Sequence, residues 1–475
     1  MKMGIIFMNR KVSVLGKIVV GMMVLMMLLL GIGLSIMNAD TVDEGVVFFE
    51  HLPDGFHKQL EAPNGDVFTG YLYRGLYHGQ GTLFYANGAV YEGDFWRGRR
   101  QGKGVFTTPF FVYQGYFQQD AKSGHGKITF TDNSHYVGDW SNNRPHGAGV
   151  FTSVHGAQLE GLWEEGSLQG FAMVIDADGG VYVGEWERGF PHGMGEYRSV
   201  DGFVYIGEFW KGFRHGAGDL FDGDLLVYTG GWQYDQKSGF GRYTNAAGLI
   251  YEGEWEHGWR HGFGELIDPS GSSYRGYWYE DRQHGHGIFR YVAGDWVYEG
   301  DWYHGVRQGT GRLTFGNGTT YSGEFYANQI HGWGIYTSAA GWSYEGDFVQ
   351  GIREGHGRYT FAGGSTYEGQ WLQGLEHGHG IYRDITGWSY EGSWEAGRKQ
   401  GMGLLTYANG ATHRGMFVAN QPHGQGVRTY HDQHNRYFAT YEGYFVNGRR
   451  HGRGTMTYVS GHIMAGTWYH DDFMD

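Results

Sequence analysis

The sequence predicts an all-β fold, an elongated antiparallel array of β-hairpin repeats preceded by one transmembrane helix. Three observations support this prediction. A glycine-centred motif recurs about every 23 residues, aromatic and acidic residues alternate around it, and one long apolar run lies near the N-terminus. The chain has 475 residues, of which 88 are Gly. A fixed period of this length is typical of a repeat protein rather than of several separate globular domains.

The apolar run extends from Ile18 to Met37 and contains no charged residue. As a helix it would be about 30 Å long, which matches the hydrocarbon core of a bilayer. Basic residues precede it, and acidic residues follow from Asp40 onward. We therefore predict a basic cytoplasmic N-terminus at 1–17 and a transmembrane signal-anchor at 18–37, with the repeats across the membrane. The alternative is a secreted protein released by signal cleavage, although a signal peptide usually has an apolar core of only about 7–15 residues.

The rest of the chain is predicted to form a short polar stalk and cap at 38–66 and a repeat array at 67–475, with about 17 repeats. Each repeat contains a Tyr-x-Gly motif, and its Gly recurs from Gly70 to Gly466, in most cases at intervals of 23 residues. A second motif, typically His-Gly-x-Gly, begins eight residues after that Gly, as at His261. Because the two motifs keep one register, they define a single structural unit.

The alternation of residue types within a repeat predicts a β-hairpin. In the first strand Tyr251, Gly253 and Trp255 share one face, and acidic residues occupy the other. Gly262 and Gly264 belong to a second alternating run. Between repeats, Asn-Gly and Asp-Gly pairs favour a two-residue type I′ turn, which needs positive φ at both positions. These pairs are Asn87–Gly88, Asp201–Gly202, Asn317–Gly318 and Asn409–Gly410.

The glycines inside the strands need a physical explanation, because each costs roughly 0.5–1 kcal/mol relative to Ala. Burial of one large apolar side chain returns about 2–3 kcal/mol. Glycine is therefore favourable only where it lets aromatic rings lie flat against the backbone. We infer that Gly253 and its equivalents lie beneath neighbouring rings, and that Gly253→Val destabilises the fold much more than a surface substitution does.

Histidines recur at the start of the second motif, and they resemble a row of metal ligands. Other repeats have Gln101, Ser123 or Glu354 at this position, and a metal ligand could not be exchanged for Ser so freely. We therefore predict that these histidines are structural and bond the backbone of the turn. They are His78, His146, His192, His215, His261, His284, His331, His377, His423 and His451.

Carboxylates form a second row, which includes Glu92, Asp94, Glu252, Glu254, Glu299, Asp301, Glu345 and Asp347. We predict a solvated row that is balanced by turn arginines, namely Arg214, Arg260, Arg307 and Arg353. Binding of Ca²⁺ along such a row is an alternative, because carboxylate oxygens suit hard cations.

No catalytic, cofactor-binding or metal-binding residue is assigned from the sequence, and we expect neither a cofactor nor enzymatic activity. The chain lacks Gly-x-Ser-x-Gly, His-Glu-x-x-His and P-loop motifs. It also lacks Cys, which excludes disulfides, thiolate metal sites and Cys nucleophiles. The net charge of −14 argues against nucleic acid as a ligand.

Tyr-Glu-Gly-Glu-Trp followed by His-Gly-x-Gly at a 23-residue period resembles the MORN (membrane occupation and recognition nexus) repeat. The resemblance covers residues 68 to 466. It implies an elongated, twisted antiparallel β-array, or solenoid, that serves as a scaffold in cytoskeletal or membrane-contact assemblies or as an accessory module on enzymes. Degenerate motifs at Leu159–Gly161, Gln169–Ala172 and His413–Gly415, and extra residues around His431 to Phe438, are expected to mark a bend, a bulge or a local partner site, or to be harmless drift.

The leading functional hypothesis is a membrane-anchored, non-catalytic scaffold that presents its β-array to protein partners of unknown identity. The first alternative is recognition of phospholipid headgroups or of a membrane surface by the repeats. The second is a secreted or cell-surface repeat protein that binds glycans or Ca²⁺. A homodimer is a further option for the assembly, and the N-terminal helix would contact the protein's own membrane.

Overall fold

The computed structural model describes residues 46–432 and 434–474. These residues contain β-strands and no α-helix, which confirms the all-β prediction. No helix in this part of the chain is long and apolar enough to cross a membrane. The predicted N-terminus at 1–17 and the signal-anchor at 18–37 lie outside the described residues.

The strands belong to two compact units. The first comprises the described residues up to Ala246 together with Glu254–Gly258, and the second comprises Ala247–Gly253 and the described residues from Trp259 onward. Strand β18, Ile250–Glu256, contributes to both. The other strands of the first unit are β1 (Gly55–Glu61), β2 (Val67–Tyr73), β3 (Leu76–Phe84), β4 (Val90–Trp96), β5 (Arg99–Thr107), β6 (Phe111–Gln118), β7 (Ala121–Phe130), β8 (His135–Ser141), β9 (Arg144–Thr152), β10 (Gln158–Glu164), β11 (Ser167–Ile175), β12 (Val181–Glu187), β13 (Phe190–Arg198), β14 (Phe203–Trp210), β15 (Phe213–Asp222), β16 (Leu225–Gln233) and β17 (Gln236–Thr244).

The second unit repeats the same pattern of alternating short and long strands. Its other strands are β19 (Trp259–Ile267), β20 (Ser273–Tyr279), β21 (Arg282–Tyr291), β22 (Trp296–Tyr303), β23 (Val306–Phe315), β24 (Thr320–Tyr326), β25 (Gln329–Thr337), β26 (Ser343–Val349), β27 (Ile352–Thr360), β28 (Thr366–Leu372), β29 (Leu375–Arg383), β30 (Ser389–Glu395), β31 (Arg398–Thr406), β32 (Thr412–Val418), β33 (Gln421–His431), β34 (Tyr437–Val446), β35 (Arg449–Tyr458), β36 (Ile463–Tyr469) and β37 (Asp472–Phe473).

Successive strands of each unit pair antiparallel, and each repeat forms the hairpin that the sequence predicts. In the region predicted as stalk and cap, β1 pairs antiparallel with β2. Just before it, the amide of Phe49 donates a hydrogen bond of 2.8 Å to the carbonyl of Gly75. The described part of this region therefore contains a strand that continues the pairing of the repeats.

The turns differ from the prediction in where the type I′ geometry occurs. Within a repeat, Trp96 pairs with Arg99, and both intervening residues have positive φ, 50° at Arg97 and 84° at Gly98. This two-residue loop has the positive φ values of a type I′ turn. The prediction that Asn87–Gly88 adopts this turn between repeats was wrong.

Between repeats the chain makes a longer loop, in which only the glycine of the pair has positive φ, 85° at Gly88. The amide of Gly88 donates to the carbonyl of Tyr85, and the amide of Tyr85 donates to the carbonyl of Ala89, both at 2.9 Å. This pattern matches a three-residue hairpin loop that ends in a left-handed residue. Asn87 contributes its side chain instead, because its Oδ1 accepts a hydrogen bond of 3.0 Å from the Ala89 amide.

A row of glycines crosses the strands of each unit and positions the core. In the first unit Gly93 lies opposite Gly81 on one neighbouring strand and opposite Gly104 on the other. The ring of Tyr91 covers the pair, since a Cβ added to Gly93 would lie 2.6 Å from the Tyr91 hydroxyl. A Cβ added to Gly104 would lie 2.6 Å from Cζ of the same ring. The prediction that these glycines lie beneath rings is confirmed.

The second aromatic residue of each first strand joins successive repeats. In the second unit, the ring of Trp371 meets those of Tyr367 and Tyr344 edge to face, with centroids 5.2 and 5.3 Å apart. Its indole Nε1 donates a hydrogen bond of 3.0 Å to the carbonyl of Gly357 in the preceding repeat. Edge-to-face pairs stabilise a core beyond their burial alone. The face that carries these rings is called the ring face below, and the opposite one the outer face.

Candidate functional site

The ring face contains buried cations as well as aromatic rings. The guanidinium of Arg214 lies 4.3 Å from the centroid of Trp232. Its Nε donates a hydrogen bond of 3.0 Å to Oδ1 of Asp235 in the next turn, and both side chains are less than a tenth exposed. Arg260 pairs with Asp281 in the same way at 2.9 Å. The charges of Arg214 and Arg260 are therefore neutralised by carboxylates of the next turn.

This geometry corrects the prediction that the turn arginines balance the outer row of carboxylates. Arg214, Arg260, Arg307 and Arg353 all lie over rings of the ring face. Their guanidinium groups bond to the next turn, namely to an Asp side chain, the main-chain carbonyl of Asn328 or the carbonyl of Gly374. The physical reason is that a guanidinium stacked on rings and bonded at its N–H groups can be buried.

The outer carboxylates form hydrogen bonds to the backbone, which the sequence did not predict. The hairpins contain a bulge at the second motif. In the hairpin of β4 and β5, for example, the register shifts between Gly93 and Phe95, and Gly102 has a positive φ of 75°. Oδ2 of Asp94 accepts a hydrogen bond of 3.1 Å from the Lys103 amide beside this bulge. In the second unit Oδ2 of Asp347 accepts from His356 in the same way at 2.9 Å. The row is therefore partly structural.

Four histidines of the second motif depart from the prediction that these side chains bond the turn backbone. The Nδ1 atoms of His78, His215, His284 and His451 are buried and have no hydrogen-bond partner. Their rings pack instead against aromatic residues near the turns. The ring of His78, for example, lies 4.6 Å from that of Trp96. These four histidines thus pack as flat, weakly polar side chains.

Burial shifts the pKa of several ionisable groups in the array. Desolvation raises the pKa of Tyr298 and Tyr390 to about 12, so their hydroxyls remain protonated donors. Burial also lowers the pKa of Lys399. His413 replaces the usual Tyr in its repeat, and burial, aided by the charge of Arg428, lowers its pKa to about 3. Such shifts follow from desolvation of the charged form.

No group of three or more His, Asp or Glu side chains within residues 46–432 and 434–474 is arranged to hold a metal ion. The phenols, guanidinium groups and bulge carboxylates described above already have partners within the fold. The arrangement can therefore stabilise an array and present an outer face.

The outer face of the first unit contains an apolar patch that sequence reasoning missed. It consists of Leu162, Phe171, Met173, Met194 and Ile206, all of them exposed. Leu162 occupies the position where eight other repeats have the bulge carboxylate. The sequence did show that this repeat is degenerate. The signal that could have revealed the patch was the replacement of the acid by Leu beside the apolar pair Phe171 and Met173.

Comparison with protein-family models gives sixteen matches to the MORN repeat. The stretch 158–181 is unmatched, although β10 and β11 pair as a hairpin there. The matched residues are 68–90, 91–109, 113–135, 136–157, 182–204, 205–224, 228–249, 251–273, 274–296, 298–320, 321–343, 344–366, 367–389, 390–412, 413–434 and 441–463.

No curated protein matches the chain. Among solved structures, a mutant TCP10 domain of CPAP from Danio rerio has 14% identity over 54% of this chain and 93% of its own, with a TM-score of 0.13. The TCP domain of SAS-4 (dCPAP) from Drosophila melanogaster, in complex with a proline-rich motif of Ana2 (dSTIL), has 12% identity over 34% and 74%, with a TM-score of 0.16. A virginiamycin B lyase from Staphylococcus aureus with quinupristin has 12% identity over 69% and 98%, with a TM-score of 0.11. These TM-scores are too low to inform the fold or the function.

Proposed function

Because the chain belongs to the MORN repeat family, we propose that it is a membrane-anchored, non-catalytic scaffold whose repeats bind protein partners. The anchor is the apolar run from Ile18 to Met37, and the repeats lie on the side of the membrane opposite the N-terminus. Each repeat contributes its own part of the outer face, so binding is spread over many weak contacts that act together.

One observation supports this proposal above the others: the chemically capable side chains of a repeat are used to hold the repeat together. The Tyr344 phenol donates to a carbonyl, the Arg353 guanidinium stacks on Trp371, and the Asp347 carboxylate accepts a backbone amide. The phenol, the guanidinium and the carboxylate of such a repeat all take part in packing or hydrogen bonding within the fold. The outer face then remains as the surface that varies from repeat to repeat.

Chemical cross-linking of the full chain in its native membrane tests the scaffold proposal. The expected result is a set of links from several repeats to other polypeptides, because a scaffold contacts partners along its length. Links confined to copies of the chain itself, or none at all, would contradict the proposal.

The competing phospholipid function is tested with residues 38–475 and vesicles that contain phosphatidylserine. The acidic chain should remain in the supernatant at every salt concentration, because anionic headgroups repel it. Co-sedimentation that weakens as salt rises would favour headgroup recognition instead.

The anchor has its own test. Extraction of membranes with alkaline carbonate should leave the chain in the pellet, with the apolar run from Ile18 to Met37 still present. A soluble chain that begins near residue 36 would show cleavage of a signal peptide.

A further inference from the structure

The hairpin of β10 and β11 departs from the usual repeat on its ring face and lacks the bulge carboxylate that eight other repeats have on the outer face. On the ring face, Leu159 replaces the usual Tyr and Ala172 replaces a glycine of the row, and the smaller Leu leaves room for the extra methyl group. On the outer face, Leu162 replaces the bulge carboxylate and has no oxygen to accept the Phe171 amide. This repeat therefore gives up a hydrogen bond that other repeats make and exposes apolar groups in its place.

The exposed side chains lie within the five successive strands β10 to β14. Leu162 is 57% exposed and Phe171 is 67% exposed, and Met173 and Met194 follow on β11 and β13. Single exposed apolar residues are ordinary on protein surfaces, whereas a contiguous group is typical of an interaction site. Ile206 on β14 completes the apolar patch.

Carboxylates are interleaved with this patch. Four of its members have a glutamate as a direct cross-strand partner: Met173 lies opposite Glu160, Phe171 opposite Glu185, Met194 opposite Glu208 and Ile206 opposite Glu196. Arg198 pairs with Glu196. Within the described chain, no Lys or Arg forms an ion pair with the other three glutamates. The patch is therefore apolar and negatively charged at the same time.

The backbone of this region excludes binding by strand addition. β10 is paired with β9 and β11, and β12 is paired with β11 and β13. An extended peptide lying on the outer face would find no backbone groups to pair with, whereas a helix satisfies its own. Four strand spacings separate β10 from β14, or about 19 Å, which a helix of about 13 residues spans.

We propose that the apolar patch binds a basic amphipathic helix of a partner protein, with an apolar stripe on the patch and Lys or Arg beside the glutamates. This inference rests on the proposed scaffold function and names one class of partner for it. A second copy of the chain fits less well, because it would bring glutamates against glutamates. An anionic membrane is disfavoured for the same reason.

The test uses the full chain in phosphatidylcholine nanodiscs, with empty nanodiscs as the blank. The probe is a fluorescein-labelled peptide of about 14 residues, built from Leu and Lys to form an amphipathic helix. We expect saturable binding that weakens as salt rises, and no binding of the matching Leu and Glu peptide. The double variant Leu162→Asp with Phe171→Gln should bind at least about tenfold more weakly.

A matched control makes the same kinds of change elsewhere on the outer face. Met402 and Met416 lie opposite each other on β31 and β32, and both are exposed. Met402→Gln with Met416→Asp should leave the affinity unchanged. The first double variant should also melt no lower than the parent, because its new carboxylate can accept the amide of residue 171 as in other repeats.

Several results would overturn the proposal: no binding by the parent chain, equal binding of the Leu and Glu peptide, or an equal loss in both double variants. Self-association that Leu162→Asp with Phe171→Gln abolishes would instead assign the patch to a second copy. Vesicle binding abolished by the same change would assign it to a membrane. Failure of the peptide to bind while native cross-links persist would refute this partner class and leave the scaffold function standing.

Discussion

The hydroxyl of Tyr344 donates a hydrogen bond of 3.1 Å to the main-chain carbonyl of Asp347, three residues further along the same strand. The ring that carries it is fully buried and lies over Gly346 and Gly357. Burial raises the pKa of this phenol, so the hydroxyl stays a donor at any ordinary pH. The bond therefore ties the ring to the backbone that it covers.

Tyr344→Phe should lower the free energy of unfolding by about 1 kcal/mol, because the part-buried bond to the Asp347 carbonyl is lost while the ring remains. The ring alone is compatible with the fold, since Phe68 occupies the same position in the first repeat. Urea unfolding measures the change. Tyr326→Phe, at a phenol that is 61% exposed, is the control and should have almost no effect. Equal effects of the two substitutions would refute the importance of the buried bond.

His413 makes part of the stability depend on pH. Its ring is fully buried, and neither ring nitrogen has a hydrogen-bond partner. Its pKa in the folded chain is about 3, against an ordinary value of 6.5. Between pH 6.5 and about 3, His413 therefore binds a proton in the unfolded chain but not in the folded chain. Stability contributed by the neutral ring is present above pH 6.5 and is lost as the pH falls toward 3.

His413→Tyr should remove this pH dependence and restore the hydroxyl that other repeats have. Hydrogen exchange of the amides in β32 and β33 measures the effect. The gain is the increase in protection in the variant relative to the parent chain. The gain should be larger at pH 5 than at pH 7. His434→Tyr, at an exposed side chain just after β33, is the control and should leave that difference near zero. A gain that is the same at both pH values would show that the buried ring is not responsible.

Arg214→Met should destabilise the first unit by about 3–5 kcal/mol, because it leaves the carboxylate of Asp235 buried without its partner. Arg144→Met is the control, since Arg144 and Glu165 form an exposed ion pair. An exposed pair contributes about 0–1 kcal/mol. Thermal or urea unfolding of the two variants compares them directly. Similar losses would mean that the buried guanidinium is not needed for packing.

The sequence predicted the strands well because period-two alternation follows directly from the geometry of a strand. Tyr251, Gly253 and their equivalents lie on one face, and the glycines meet across strands as a fixed register requires. Turn geometry was harder to predict. Arg97 has positive φ although arginine has no preference for it. Asn87 does not have positive φ although asparagine often adopts it. The statistics of residue types cannot separate these two cases.

A period-two pattern could not predict the hydrogen bonds and ion pairs of the outer carboxylates and the turn arginines. The bulge at Gly102 leaves an amide beside Asp94, and no alternation rule indicates such a bulge. Arg260 does fall on the ring face by alternation, but the usual preference of arginine for solvent suggested otherwise. Its stacking on Trp278 and its bond to Asp281 depend on a neighbouring repeat, which a single strand does not reveal.

The central claim is that glycine at fixed positions makes room for the rings that hold the repeats together. A Cβ added to Gly253 would lie 2.7 Å from both the Phe263 carbonyl and the Tyr251 hydroxyl. A Cβ added to Gly363, in a turn, would meet nothing within 4 Å. The most direct measurement is the urea unfolding of Gly253→Val and Gly363→Val, followed by hydrogen exchange of the second unit. We predict a loss of about 2–3 kcal/mol at Gly253 and less than about 1 kcal/mol at Gly363. Equal stability of the two variants would contradict the claim.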